Sequence, residues 1–98
     1  MKIETGQIIT IVLHDPREKI IGVLQEINAS GIFVRGIDLN AFDDWCRAIA
    51  NNEPFYSMQD YFFPMWRVER LSRDESSFEM PSFAEQFERK VGIALADF

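Results

Sequence analysis

Tyr61-Phe62-Phe63-Pro64-Met65-Trp66-Arg67-Val68-Glu69-Arg70-Leu71 is the stretch on which the fold turns. In a strand, neighbouring side chains point to opposite faces. Three consecutive rings therefore cannot share one side: either Tyr61 and Phe63 fill an interior and Phe62 points out, or the reverse. Pro64 has no backbone donor and interrupts the strand that residues 58–63 begin. Beyond it, 67–71 alternates as a further strand, so strand, short corner and strand follow one another. The ring left outside needs a second layer, supplied by a helix of this chain or by another chain. An aromatic patch left bare beside an unpaired edge invites aggregation.

The residues upstream read as an antiparallel meander. Gln7-Ile8-Ile9-Thr10-Ile11-Val12-Leu13 is β-branched and too short for a typical helix. His14-Asp15-Pro16-Arg17 is turn chemistry. Residues 18–28 form a long second strand, in which Gly22 marks a sharp bend or a close backbone approach. Asn28-Ala29-Ser30-Gly31 turns the chain into a third strand at 32–38.

The period changes at Asn40. Phe42, Trp45, Cys46 and Ile49 follow the i, i+3, i+4, i+7 spacing of a helix face. Asn40 serves as N-cap, with Asp43 and Asp44 in the first turn, where the helix dipole favours carboxylates. A helix over about 40–52 must dock on the sheet, because so short a helix is marginal alone. The polar, acidic run Ser72–Met80 reads as a linker. Ser82-Phe83-Ala84-Glu85 is a capping box that opens a C-terminal helix over about 82–96, with Phe83, Phe87, Val91, Ala94 and Leu95 on one side. The expected organisation is a mainly β domain at 1–74 carrying a helical insertion, then a linker and an amphipathic helix at 75–98.

This order resembles the Sm-like (Hfq-type) family of small five-stranded, SH3-like barrels. The resemblance covers residues 6–72. It rests on Val12 and Leu13, on Gly22-Val23-Leu24 at the bend, on Ile27-Asn28 before the turn, and on Tyr61–Val68 as fourth strand, corner and fifth strand. It implies a five-stranded barrel whose copies form a ring by pairing fourth and fifth strands, with RNA bound at the pore. The RNA-binding residues do not carry over. Gly31-Ile32-Phe33 stands where the family has an Asn or Asp, and Arg35-Gly36 falls in the third strand rather than between the last two. The helix at 40–52 is an insertion.

The net charge is -6. Residues 1–71 hold seven Lys or Arg against ten Asp or Glu, and 72–98 hold three against six, so each part contributes -3. No basic run occurs, which disfavours nucleic acid and anionic membrane as broad electrostatic partners. Arg35, Arg67 and Arg70 form the one set that could meet RNA or an acidic partner. With His14 the single histidine and Cys46 the single cysteine, the four Cys/His ligands of a structural zinc site are lacking. Gly22, Gly31 and Gly36 are too scattered for a phosphate loop. No catalytic, metal or cofactor residue is expected, and one enzymatic route stays open, Asp43 or Asp44 brought against Glu69 by the fold. One cysteine and an N-terminus without a signal-peptide run point to the cytoplasm and away from membranes. The expected function is a non-enzymatic, self-associating interaction module. Its interface draws on Tyr61, Phe62, Phe63, Trp66, Phe83 and Phe87, with a homo-oligomer or a protein as partner. The alternative is an Sm-like RNA-binding ring.

Overall fold

A computed structural model describes residues 2–98. Five strands, β1 (Ile8–Leu13), β2 (Glu18–Asn28), β3 (Gly31–Asp38), β4 (Gln59–Pro64) and β5 (Val68–Arg73), form one antiparallel sheet in the order β4-β3-β2-β1-β5. Two helices accompany it, α1 (Phe42–Ala50) between β3 and β4 and α2 (Phe83–Val91) after β5. A mainly β, barrel-like fold with an inserted and a C-terminal helix is thus present. The barrel is not closed. All six residues of β4 pair with β3, and β5 pairs with β1 at five positions, but among the described residues no ladder joins β4 to β5. Both remain edges.

The sheet nevertheless curls enough for all five strands to share an interior. Ile9, Ile11 and Leu13 of β1, Ile20 and Leu24 of β2, Ile32 and Val34 of β3 and Phe63 of β4 are buried there together. Val68 and Leu71 of β5 and Tyr61 and Met65 pack against them. The curl depends on Gly22 and Gly36, which lie opposite one another on β2 and β3. A Cβ on Gly22 would lie 2.3 Å from the Arg35 carbonyl oxygen. Backbone takes the space of two side chains, which is why this strand interior tolerates glycine.

A second apolar layer lies on the outer face. Ile21 and Ile37, another directly opposed pair, pack with Phe42, Trp45 and Cys46 of α1, Phe87 of α2, and Met58 and Leu95. The rings are well ordered against one another. Trp45 stacks on Phe87 at 5.2 Å, and Phe98 meets Trp45 edge-on at 5.5 Å. Fully burying a side chain such as Phe87 is worth about 1.5–3 kcal/mol, which compensates for two helices too short to stand alone.

The helix ends differ from expectation in instructive ways. Asn40 is not the cap of α1: Asp38 accepts its backbone N–H at 2.9 Å, opening a 3-10 turn at Leu39–Ala41, and α1 starts at Phe42. Ser82 does cap α2, accepting the Glu85 N–H at 3.1 Å. Asp74 adds a second cap, its two oxygens accepting the N–H groups of Phe83 and Ala84, each at 2.8 Å. The helix stops at Val91 rather than near 96, because Gly92 turns left-handed at φ 93° and its N–H bonds the Glu88 carbonyl. Leu95 is still buried, through a final 3-10 turn at Leu95–Asp97. No described helix is long and apolar enough to cross a membrane.

Candidate interaction surface

Phe62 points outward from edge strand β4 and is 46 % exposed. Its directly opposed partner on β3 is Phe33, the two ring centroids 4.8 Å apart. The Phe62 ring also lies over the backbone of Gly31, where a Cβ would come within 2.8 Å of it. Phe33 is itself exposed, and the pair therefore presents apolar surface to solvent. Trp66, 65 % exposed, projects from the corner after β4, which the Met65 N–H fastens to the Ser30 carbonyl at 2.9 Å. Beside the aromatic pair, Arg35 faces Asp60 at 3.5 Å and Gln25 donates to the same carboxylate at 3.2 Å. The result is an aromatic patch with a polar fringe on an unpaired strand edge.

Neither helix covers Phe62, contrary to the expectation that a second layer of this chain could do so. The reason lies in connectivity. α1 follows directly from the end of β3, so it settles over Ile37 and Ile21. Phe33 is four residues back along the strand, about 13 Å away at the usual rise. α2 then packs on α1, on that same side.

The other residues marked in the sequence are distributed between interior and surface. Tyr61 and Phe63 face inward, their rings stacked 5.5 Å apart. Phe87 is fully buried, and Phe83 meets Phe42 edge-on at 5.3 Å. Both α2 rings are thus packed within the chain's own helical layer. The three arginines do not form one site. The Arg67 guanidinium, only 16 % exposed, donates to Glu18 at 2.7 Å and to the carbonyls of Pro16 at 2.9 Å and His14 at 3.3 Å. It pins the β1–β2 turn to β5. Arg35 is engaged with Asp60. Arg70 lies across Val12 from Lys19 and, among the described residues, has no carboxylate partner. These two cations border a shallow groove of about 290 Å³ with Thr10 and Ser72.

Three carboxylates considered for catalysis are answered by three different cations. Asp43 faces Lys90 at 3.6 Å, Asp44 faces Arg47 at 3.1 Å, and Glu69 faces Arg17 at 3.6 Å. His14 and Asp15 contact each other at 3.0 Å on the surface. Cys46 is buried, and that burial pushes its thiol pKa up, away from the reactive thiolate.

The structure also brings Trp45, Asp44 and Tyr61 together with Phe55 and Tyr56, a grouping the sequence does not signal. The indole N–H of Trp45 donates to the Tyr56 carbonyl at 2.7 Å and holds the 54–58 segment beside α1. Between them and β4 lies a pocket of about 490 Å³, lined by Trp45, Phe55, Tyr56 and Tyr61 with Asp38 and Asp44.

No family model, curated protein or solved structure gives a significant match to this chain. The functional reading therefore rests on the surface itself.

Proposed function

We propose that this protein is a non-enzymatic assembly module whose copies associate through the free edge of β4 and its Phe33–Phe62 face. The observation that carries the proposal is an exposed aromatic pair on an unpaired strand. Natural edges are blunted by charge, proline or a covering element. β4 has Asp60 near its start and Pro64 at its end, and Tyr61-Phe62-Phe63 between them is unprotected. Burying Phe62, Phe33 and Trp66 against a second copy removes that liability and adds apolar area to a chain of 98 residues, whose own core is small.

Head-to-tail pairing of β4 with β5 suits the charges better than β4 with β4. β4 contains one acid, Asp60, for a net -1, whereas β5 contains Glu69, Arg70 and Arg73, for a net +1. Opposite edges attract, while two copies of Asp60 do not. A head-to-tail contact closes into a ring when its rotation allows, and the resemblance to Sm-like barrels favours the same geometry. RNA binding is not part of the proposal, because Glu18 and Asp60 already engage Arg67 and Arg35.

Sedimentation velocity over a concentration series tests it. The wild-type chain should sediment as an oligomer and Phe62→Glu as a folded monomer. A wild-type chain that stays monomeric throughout overturns the proposal.

A further inference from the structure

We infer that the pocket between α1, the 54–58 segment and β4 binds a compact organic cation, a methylated ammonium group carried by a small molecule or by a peptide side chain. Its volume, about 490 Å³, falls within the ~300–1,000 Å³ of ordinary ligand sites. Four aromatic residues from three separate segments line it: Trp45 of α1, Phe55 and Tyr56 of the loop, and Tyr61 of β4. Trp45 stacks on Phe87 and Tyr61 on Phe63, so these two close the wall, while Phe55 and Tyr56 are the exposed rings. An exposed aromatic face carries negative quadrupole potential and attracts a cation within about 6 Å. Asp38 and Asp44 lie in the same lining, which includes no Lys or Arg.

Both carboxylates keep acceptor capacity. Asp38 uses one oxygen on the Asn40 N–H, and Asp44 pairs with Arg47 at the exposed surface. A carboxylate has two oxygens and about four lone-pair sites, so neither is saturated. Arg47 offsets part of the Asp44 charge, and Asp38 leaves the lining negative in a chain of net charge -6. An anion would be repelled.

A methylated ammonium fits better than a bare one. Most of the lining is apolar, with Ile37, Ala41, Ala48 and Pro54 beside the four rings, and such a wall accommodates methyl groups better than the three N–H donors of a bare ammonium. Methyl groups replace those donors with apolar surface while the charge stays for the rings and carboxylates. The wall is also held in place beforehand: the Trp45–Tyr56 hydrogen bond ties the loop to α1, and Phe55 rests against Phe98 at 5.7 Å. An apolar knob from another copy suits the pocket less well. The fully exposed Phe78 sits between Glu75 and Glu79, which would approach Asp38 and Asp44 with like charge.

The two tryptophans give a direct readout. In proton–nitrogen NMR spectra of the full chain, the Trp45 indole N–H reports on the pocket and the exposed Trp66 indole serves as control. Choline should shift the Trp45 signal saturably and leave Trp66 unmoved. Its uncharged carbon isostere, 3,3-dimethylbutan-1-ol, should bind at least about fivefold more weakly, a factor equivalent to ~1 kcal/mol of cation–π attraction. Tyr56→Leu and Asp44→Asn should each weaken choline binding about two- to fivefold while the rest of the spectrum stays native. A trimethyllysine peptide that binds more tightly than choline assigns the group to a peptide side chain, and the reverse order assigns it to a small molecule. Equal binding of choline and its isostere, or no saturable shift with choline or the peptide, overturns the inference.

Discussion

Gly22 and Gly36 face each other across β2 and β3 with backbone where side chains would normally stand: a Cβ on Gly22 would fall 2.7 Å from the Gly36 Cα, and one on Gly36 would fall 2.2 Å from the Ile21 carbonyl oxygen. Both clashes are with main chain, which cannot rotate away. The curl that lets Phe63 of β4 and Leu71 of β5 reach one interior depends on this contact.

Gly22→Ala should therefore destabilise the fold by about 1–3 kcal/mol or more, as overpacking of a tight interior does. Urea denaturation followed by circular dichroism measures it. The pair is coupled, so adding Gly36→Ala should cost less than the sum of the two single changes.

Arg67 acts as a clamp within the chain. Arg67→Gln removes the ion pair with Glu18 at 2.7 Å and at least one of the bonds to the Pro16 and His14 carbonyls. Hydrogen bonds to a charged group contribute about 1.5–3 kcal/mol, and a loss in that range is expected here. Arg67→Lys should rescue little of it, because an ammonium lacks the planar fork that reaches several acceptors. Amide exchange at residues 14–18 should accelerate in both variants.

Asp74 decides where α2 begins to hold. Its carboxylate accepts from two backbone N–H groups, those of Phe83 and Ala84. Asp74→Ala should lower stability by about 1–2 kcal/mol, in line with the loss of a strong N-cap. Limited proteolysis should then cleave more readily within 74–81.

Cys46 makes stability depend on alkaline pH. Burial raises the folded thiol pKa above its unfolded value, ordinarily about 8.5. The folded state thus favours the neutral thiol. Its contribution is complete below the unfolded pKa and is lost as pH rises through and beyond it, at up to ~1.4 kcal/mol per pH unit. Cys46→Ala should flatten that slope between about pH 8.5 and the folded pKa. In the native wild type, alkylation of Cys46 should be slow and should follow unfolding.

Much of the fold is legible in residue pattern because each element signals itself locally. The β-branched run before His14 and the Phe42, Trp45, Cys46, Ile49 spacing report their own periods. The capping box at Ser82 likewise marks the start of α2. Openness of the sheet does not, since it depends on whether β4 and β5 meet across the curl. Long-range partners are equally silent: nothing near Arg67 in sequence reveals Glu18, and nothing near Phe83 reveals that Asp74 caps it. The in–out alternation of Tyr61, Phe62 and Phe63 is legible, but which ring faces out and what shelters it are not. The docking position of α1 is set by its short connection to β3, and that leaves the Phe33 end of the sheet uncovered. The pocket is silent in the sequence because its rings come from α1, a loop and β4, with no shared spacing.

Backbone amide exchange of β4, measured by mass spectrometry at low and high protein concentration, tests the proposed interface most directly. Association through this edge predicts that residues 59–64 and the Trp66 corner become more protected as concentration rises, while β2, already paired on both sides, does not change. Protection of 59–64 that stays constant while the sedimenting mass increases would place the contact elsewhere and contradict the account.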